Sequence, residues 1–245
     1  MTQSDTFLLE VKDLCKKFNH IVALDNLSLQ LRCGEVTAIV GDNGSGKSTL
    51  IKILSGSLIP DSGTIFFGGK HYQQLKPRIS VDLGIRVVYQ DLSLDNYKNS
   101  YENIFLGEEL KHGPFLAKKR MATEARQLLD DLQIHISDLS EDVGNLSGGQ
   151  RQGLALARAL RREAELLILD EPTAAMGVTE TESVFRILRE LKAEKRSILI
   201  ISHNLFQVFD IADRIFILKA GKCIGSVLTK DSSPDEIHNL IKWGG

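Results

Sequence analysis

Three stretches of this chain carry residue types at spacings that serve phosphate chemistry. Gly41-Asp42-Asn43-Gly44-Ser45-Gly46-Lys47-Ser48, with Thr49 behind it, fills every fixed position of GxxxxGK[ST]. Glycines at those places let backbone N–H groups curl around phosphate oxygens, and a following helix start adds its dipole. Lys47 then sets a point charge on β- and γ-phosphates, and the Ser48 hydroxyl is placed to ligate Mg²⁺. A glycine-rich connector that binds nothing has no need of the terminal Lys-Ser. The second stretch is Asp170-Glu171, two carboxylates at the end of the apolar run Leu166–Leu169. The first is placed to support Mg²⁺, and the second to polarise a water for in-line attack. A solvated strand-end charge pair is the bland alternative. The third is Ser202-His203, closing another apolar run; a lone histidine there is usually structural, but its place tilts it toward a γ-phosphate.

The elements around these residues suit that use. Val36–Val40 is short, apolar and β-branched, the mark of a buried strand, and Thr49–Ser55 has helical spacing with a stop at Gly56. Strand, glycine loop and helix in that order form the context in which the motif binds phosphate. Leu166–Leu169 and Ser197–Ile201 read as further buried strands, and strand C-termini are where α/β sheets hold ligands. Upstream, residues 7–35 read as strands, with Leu27, Leu29 and Leu31 alternating with polar residues as in a half-buried antiparallel strand. Phe18, in a loop-like stretch, is either core filler or a platform for a flat base, and the sequence favours core. Pro60–Gly63 is a turn, followed by Thr64–Phe67 and a Gly-Gly turn, which together suggest a β-meander wrapped against the strand before the glycine loop. Gly84–Tyr89 reads as a strand ending at Gln90. From there to about residue 162 the spacing is helical, with a stripe of Met121, Ala125, Leu128, Leu129 and Leu132. Asn145–Gln150 precedes a helix carrying Leu156, Ala159 and Leu160 on one face. Ser147 with Gly148 and Gly149 is either a plain N-cap or a second anion-binding nest, the cap being the simpler reading. Thr179–Glu182 reads as a capping box for the next helix. Ile215–Leu218 and Cys223–Val227 read as a hairpin before a short final helix.

Composition excludes several classes. The 245 residues are 42% hydrophobic and 25% charged, an ordinary globular balance. A formal net charge of −2 speaks against a general nucleic-acid or anionic-membrane surface. Cys15, Cys33 and Cys223 match no metal spacing and suit a reducing compartment. Met1–Asp5 lacks a signal peptide's basic start, and no apolar run approaches the ~20 residues that span a bilayer. The expectation is a soluble chain with any membrane role exercised through a partner.

Taken in order, the P-loop, Gln90, Leu146-Ser147-Gly148-Gly149-Gln150, Leu167-Ile168-Leu169-Asp170-Glu171 and His203 resemble the nucleotide-binding subunit of ATP-binding cassette transporters. The resemblance covers about Leu8 to Leu228, and the Leu-Ser-Gly-Gly-Gln signature is peculiar to that superfamily. It implies a P-loop NTPase (RecA-like) α/β core with an N-terminal antiparallel β subdomain and an inserted α-helical subdomain. One cassette would then span 7–245, with its core at about 7–90 and 163–245 and the helical part at about 91–162. It further implies ATP as substrate with Mg²⁺, Phe18 stacked on adenine, and Gly41–Thr49 around the phosphates. By the same resemblance Ser48, Gln90 and Asp170, the last through a water, hold Mg²⁺. Glu171 is the catalytic base, and His203 holds the γ-phosphate and the water. Ser147, Gly148, Gly149 and Gln150 contact the γ-phosphate held by the P-loop of an opposing subunit.

Lys52–Gly56, Pro60–Gly63, Glu102–Glu108 and Glu171–Val178 look like the ribose/xylose/fructose-type sugar importers. Many of those carry two cassettes in tandem where this chain has one, so a second copy or a paralogue would complete the dimer. Most cassettes have Asp where Gly177 stands. The resemblance implies an ATPase at the cytoplasmic face of the inner membrane that powers import of a monosaccharide or similar polyol. Its partners would be a second such subunit, a transmembrane permease docked around Gln90 and Tyr97–Glu108, and indirectly a periplasmic sugar-binding protein, with no nucleic acid. Transport of another solute, or export, is disfavoured only by the sugar-branch resemblance. A cassette ATPase acting on ribosomes or DNA is the alternative of another class; such proteins usually carry paired cassettes, coiled-coil insertions or zinc modules, for which this chain has no room.

Overall fold

The computed structural model describes residues 7–174 and 176–243; residues 1–6 (which include the Met1–Asp5 stretch), Ala175 and the last two glycines lie outside them. The chain begins with strands β1 (Phe7–Phe18), β2 (Ile21–Arg32) and β3 (Val36–Val40), then helix α1 (Lys47–Leu54). Next come β4 (Ser62–Phe67), β5 (Lys70–Tyr72), α2 (Pro77–Asp82) and β6 (Ile85–Val88). The middle of the chain contains α3 (Ser100–Ile104), a small hairpin of β7 (Lys111–His112) and β8 (Phe115–Leu116), α4 (Lys118–Asp131) and α5 (Gly148–Leu160). The remainder is β9 (Leu166–Asp170), α6 (Val178–Ala193), β10 (Ile198–Ile201), α7 (Leu205–Ile211), β11 (Arg214–Lys219), β12 (Lys222–Leu228) and α8 (Pro234–Trp243). These fall into two compact units, one comprising the chain up to Val87, Ala164–Pro172 and everything from Leu188 on, the other Val88–Glu163 and Thr173–Ile187.

The first unit holds a six-stranded sheet in the order β12-β11-β3-β10-β9-β6. Its central strands β11, β3, β10 and β9 run parallel. Every residue of β3, β9 and β10 is buried, which is why those strands are almost wholly apolar runs with no polar alternation, Thr37 and the terminal Asp170 being the polar exceptions. Only a sheet shielded on both faces selects for such runs. The register decides the chemistry: Ile201 of β10 lies opposite both Ile39 of β3 and Asp170 of β9. The three strands therefore end level, and the residues just past their ends emerge together.

A second sheet of the same unit, β2-β1-β4-β5, is antiparallel throughout. Leu9, Val11 and Leu14 of β1 pair with Leu31, Leu29 and Leu27 of β2, and all six are buried. The alternation in β2 is thus the inward face of a half-buried strand. This sheet corrects the expected meander, because β4 pairs with β1 and neither β4 nor β5 is a neighbour of β3. The contact with the phosphate loop comes through β2 instead. A Cβ on Gly46 would lie 2.5 Å from the Ala23 carbonyl oxygen and 2.7 Å from Leu24 Cδ2, so only glycine fits there.

The second unit is mainly helical. Met121, Ala125 and Leu129 form the buried seam of α4, while Leu128 and Leu132 at its flank are half-buried. Arg126 donates to the Ile136 carbonyl at 2.7 Å, and Ile134 packs against Gly153 of α5 so closely that a Cβ there would lie 2.9 Å from Ile134 Cγ2. The β7–β8 hairpin interrupts the stretch expected to be helical, since Gly113-Pro114 is a turn between strands too short to show a period of two. The expected capping box at Thr179–Glu182 is also not what starts α6. That helix begins at Val178, with Thr181 N–H already donating to the Gly177 carbonyl at 3.0 Å, so Thr179 lies inside the first turn.

Candidate functional site

The loop between β3 and α1 is shaped by glycine conformations that other residues resist. Gly41, Gly44 and Gly46 all have positive φ, and a Cβ on Gly41 would lie 2.1 Å from the Leu218 carbonyl oxygen. The loop is braced by Ser45 N–H donating to Asp42 O at 3.1 Å and by Gly221 N–H, in the β11–β12 turn, donating to Ser45 O at 3.1 Å. Gly46 is the N-cap of α1 and offers no side-chain cap, so the first N–H groups of that helix lack a protein acceptor of the usual kind. Gly44 faces open space. An uncapped helix start behind an open glycine loop is a cradle for a phosphate chain.

Lys47 is buried and folds back over its own loop. Its Nζ donates to Gly41 O at 2.7 Å, Asp42 O at 2.8 Å and Ser45 Oγ at 3.3 Å. Burial pulls its pKa below the ordinary lysine value, and the Glu171, Asp170 and Asp42 carboxylates oppose that. Asp170, buried at the end of β9, is shifted upward by burial and then by its neighbour Glu171, with Lys47 and Lys52 opposing. The loop lysine and the strand-end carboxylates therefore sense one another's charge.

Glu171 leaves β9 with a φ of 50°, a left-handed conformation unusual for a residue with a side chain. Such strain costs on the order of 1–2 kcal/mol and gathers at functional positions. The backbone is held there by Glu171 N–H donating to Ile201 O at 2.8 Å. The result is a carboxylate only 14% exposed whose Oε1 lies 2.9 Å from Nδ1 of His203, a side chain 71% exposed. A sheltered carboxylate joined to an open imidazole can orient a water and share its proton. The Ser48 hydroxyl and the Asp170 carboxylate are hard oxygen donors of the kind Mg²⁺ takes, so the residues present fit that ion.

Phe18 corrects the favoured core reading. It ends β1, pairs with Ile21 across the Asn19-His20 turn, and is 45% exposed, with Ile21 at 70%. The Lys16 ammonium lies 5.6 Å from the ring centroid and 2.7 Å from Asp61 Oδ1. Ile21 was missed as part of this apolar ledge; the signal was present, because residues directly opposite in a two-residue hairpin share a face.

Gln90 and the signature segment belong to the second unit. Gln90 is exposed just beyond β6. Ser147 caps α5 in a full capping box: its Oγ accepts from Gln150 N–H at 3.2 Å, and Gln150 Oε1 accepts from Ser147 N–H at 3.0 Å. Gln150 Nε2 also donates to the His135 carbonyl at 3.0 Å, which ties the helix start to the loop after α4. The cap reading of Ser147 is thus realised. The amides of Gly148 and Gly149, ahead of the capped one, remain helix-start donors.

Parallel strands ending level at a glycine loop and two carboxylates define a nucleotide-binding α/β protein of the P-loop kind. Residues 24–174 match the family described as ABC transporter, and the chain belongs to that family. It is 46% identical over 234 residues to the xylose/arabinose import ATP-binding protein XylG of Sulfolobus acidocaldarius, covering 96% of this chain and 93% of that protein. It is 39% identical over 240 residues to the ribose import ATP-binding protein RbsA of Hahella chejuensis. There the alignment covers 96% of this chain but 47% of the relative, so the chain spans about half the length of the ribose import proteins it matches. Among solved structures, a nucleotide-free ATP-binding cassette from an ABC transporter matches with a TM-score of 0.82 at 29% identity, over 97% of this chain and 96% of that one. The ADP conformation of such a cassette matches with a TM-score of 0.79 at 28% identity, over the same shares of the two chains.

Proposed function

We propose that this chain is the ATP-hydrolysing subunit of an importer for a monosaccharide or related polyol, working as a head-to-tail pair beneath a separate permease. The observation that carries the hydrolytic part is the level ending of β3, β10 and β9, which presents Lys47, Asp170, Glu171 and His203 at one edge of one sheet. The sugar part rests on the likeness to a xylose/arabinose import protein along nearly its whole length. The chain reads as one cassette, with residues of about 7–90 and 163–245 as core and β subdomain and about 91–162 as helical subdomain.

Each residue has a task derived from its setting. On arrival of MgATP, Lys47 exchanges three neutral loop acceptors for β- and γ-phosphate oxygens, a stronger charge-assisted set. The amides of Gly44–Thr49 wrap the phosphates, and Phe18 supplies a flat apolar face for adenine. Ser48, Gln90 and Asp170 would hold Mg²⁺, whose charge offsets that building up on the phosphates. Glu171 accepts the proton of the attacking water, and His203 holds that water and the γ-phosphate. The start of α5, from Ser147 to Gln150, faces the γ-phosphate bound by the opposing subunit. Neither half-site is complete alone, so nucleotide binding favours closure and loss of the γ-phosphate reverses it.

Exposed apolar residues in the second unit support contacts with other chains. Val178, at the head of α6, is 90% exposed and suits the face toward a second cassette. Tyr97 is 91% and Leu106 42% exposed in the segment proposed to receive the permease, which would hold the subunit at the inner face of the plasma membrane. Among the described residues no helix is long and apolar enough to cross a membrane. A periplasmic sugar-binding protein would act through the permease, and no nucleic-acid partner is expected.

The test is affinity purification of the tagged chain from mild-detergent extracts of its own cells. The reading expects a polytopic membrane protein that crosslinks to the Tyr97–Glu108 segment, and MgATP hydrolysis that Lys47→Ala abolishes together with ATP binding. Recovery of ribosomes or nucleic acid in its place would overturn it.

A further inference from the structure

Neither Gly149 in α5 nor Gly177 ahead of α6 has a positive φ, so backbone freedom does not call for glycine at either place, and both are crowded. One side chain takes the space in front of both. A Cβ on Gly149 would lie 2.4 Å from Cγ and 2.8 Å from Cβ of Glu180, and a Cβ on Gly177 would lie 2.5 Å from Glu180 Oε2. All three residues belong to the second unit. Glu180 stands in the first turn of α6, where a carboxylate is favoured by the helix dipole. Its stem runs along the first turn of α5, and its carboxylate end reaches the loop that follows the Glu171 strand. The sequence reading of a capping box involved Thr179 and Glu182 and gave Glu180 no task; the structure gives its side chain this place.

We propose that Glu180 is a positioning residue that wedges the signature segment against the loop before α6 and holds a fixed negative charge beside the place where the opposing subunit's γ-phosphate arrives. This rests on the reading that the start of α5 receives that phosphate. Two consequences separate the wedge from a merely structural contact. The charge opposes the incoming phosphate, so removing it with the shape retained makes closure easier. A side chain at position 177 has to displace the Glu180 carboxylate, and an acid placed there also meets a like charge at close range.

The experiment uses the full-length chain carrying Glu171→Gln, so that bound ATP persists, and follows its ATP-driven dimerisation by sedimentation velocity over a series of ATP and salt concentrations. Glu180→Gln is expected to lower the ATP midpoint about three- to tenfold at low salt, the size of a unit charge facing a phosphate across a few ångströms of high dielectric. The gain shrinks as salt screens it. Gly177→Asp is expected to raise the midpoint about tenfold, and adding Glu180→Gln to recover most of that loss. ATP binding to the monomer, by calorimetry, stays unchanged in all three. Identical midpoints for Glu180→Gln and its parent at every salt concentration would overturn the proposal, as would a double variant no better than Gly177→Asp. If Gly177→Asp fails to fold by circular dichroism, the Glu180→Gln series decides alone. A parent that binds MgATP yet stays monomeric would sink the paired-cassette reading itself, and this inference with it.

Discussion

Replacing Glu171 by Gln separates nucleotide binding from hydrolysis, and the structure gives the size of the effect. Gln keeps the length and planarity of the side chain, so the strained φ of 50°, the bond from residue 171 N–H to Ile201 O and the contact with His203 Nδ1 can all persist. What disappears is the ability to take a proton. A positioned general base contributes about 10²–10⁴ in rate, so hydrolysis should fall at least about a hundredfold, which corresponds to about 2.7 kcal/mol in the barrier. ATP binding moves the other way. Glu171 is a like charge beside Asp170 and close to the phosphate loop, and its removal leaves less negative charge to meet the triphosphate. The assay is single-turnover phosphate release with enzyme in excess over ATP, paired with calorimetric titration of ATP. A large fall in rate with equal or tighter binding supports the assignment. A rate within about threefold of the parent would refute Glu171 as the base. Loss of binding alongside the rate would instead show that the side chain supports the loop.

Three further outcomes follow from the same geometry. Phe18→Ala should weaken ATP binding about tenfold, the scale of one lost aromatic stack, while leaving inorganic tripolyphosphate binding unchanged; equal losses for both would refute an adenine platform. Gly41→Ala forces a Cβ to within 2.1 Å of a backbone oxygen and should cost more than about 2 kcal/mol by urea unfolding, whereas Gly44→Ala, facing open space, should cost only about 1–2 kcal/mol for its φ; equal losses would show that the loop relaxes. Asp170 has a raised folded-state pKa, so its contribution to stability is full below its unfolded value of about 3.9 and is lost as pH rises through the raised one. Without nucleotide or metal, Asp170→Asn should therefore melt above the parent at pH 7, with the gap closing as pH falls toward 3; a lower melting temperature at pH 7 would contradict this.

Much of the site was legible because its signals are local. A glycine loop between a buried strand and a helix, a run of Leu and Ile ending in two carboxylates, and a Ser with Gln three residues on are each set by neighbours in the chain. The β1–β2 alternation and the β11–β12 hairpin were visible for the same reason. The elements that escaped are those whose signal is short or divided. Two-residue strands show no period, and α2, with six residues, offers too few turns for a stripe. Residue type and spacing alone favoured core for Phe18, because exposure depends on what covers a residue, and among the described residues the ring stays 45% exposed.

The sequence by itself therefore determined the class of chemistry: a loop that binds phosphates, the carboxylates that serve it, and the family that uses both. Only the tertiary structure decided that β3, β10 and β9 end level, that the second sheet braces the loop through β2, and that Glu180 fills the space before Gly149 and Gly177. Those arrangements depend on strand register and on packing between residues far apart in the chain. A one-residue slip along a β-strand would leave the motifs intact and turn their side chains to the opposite face.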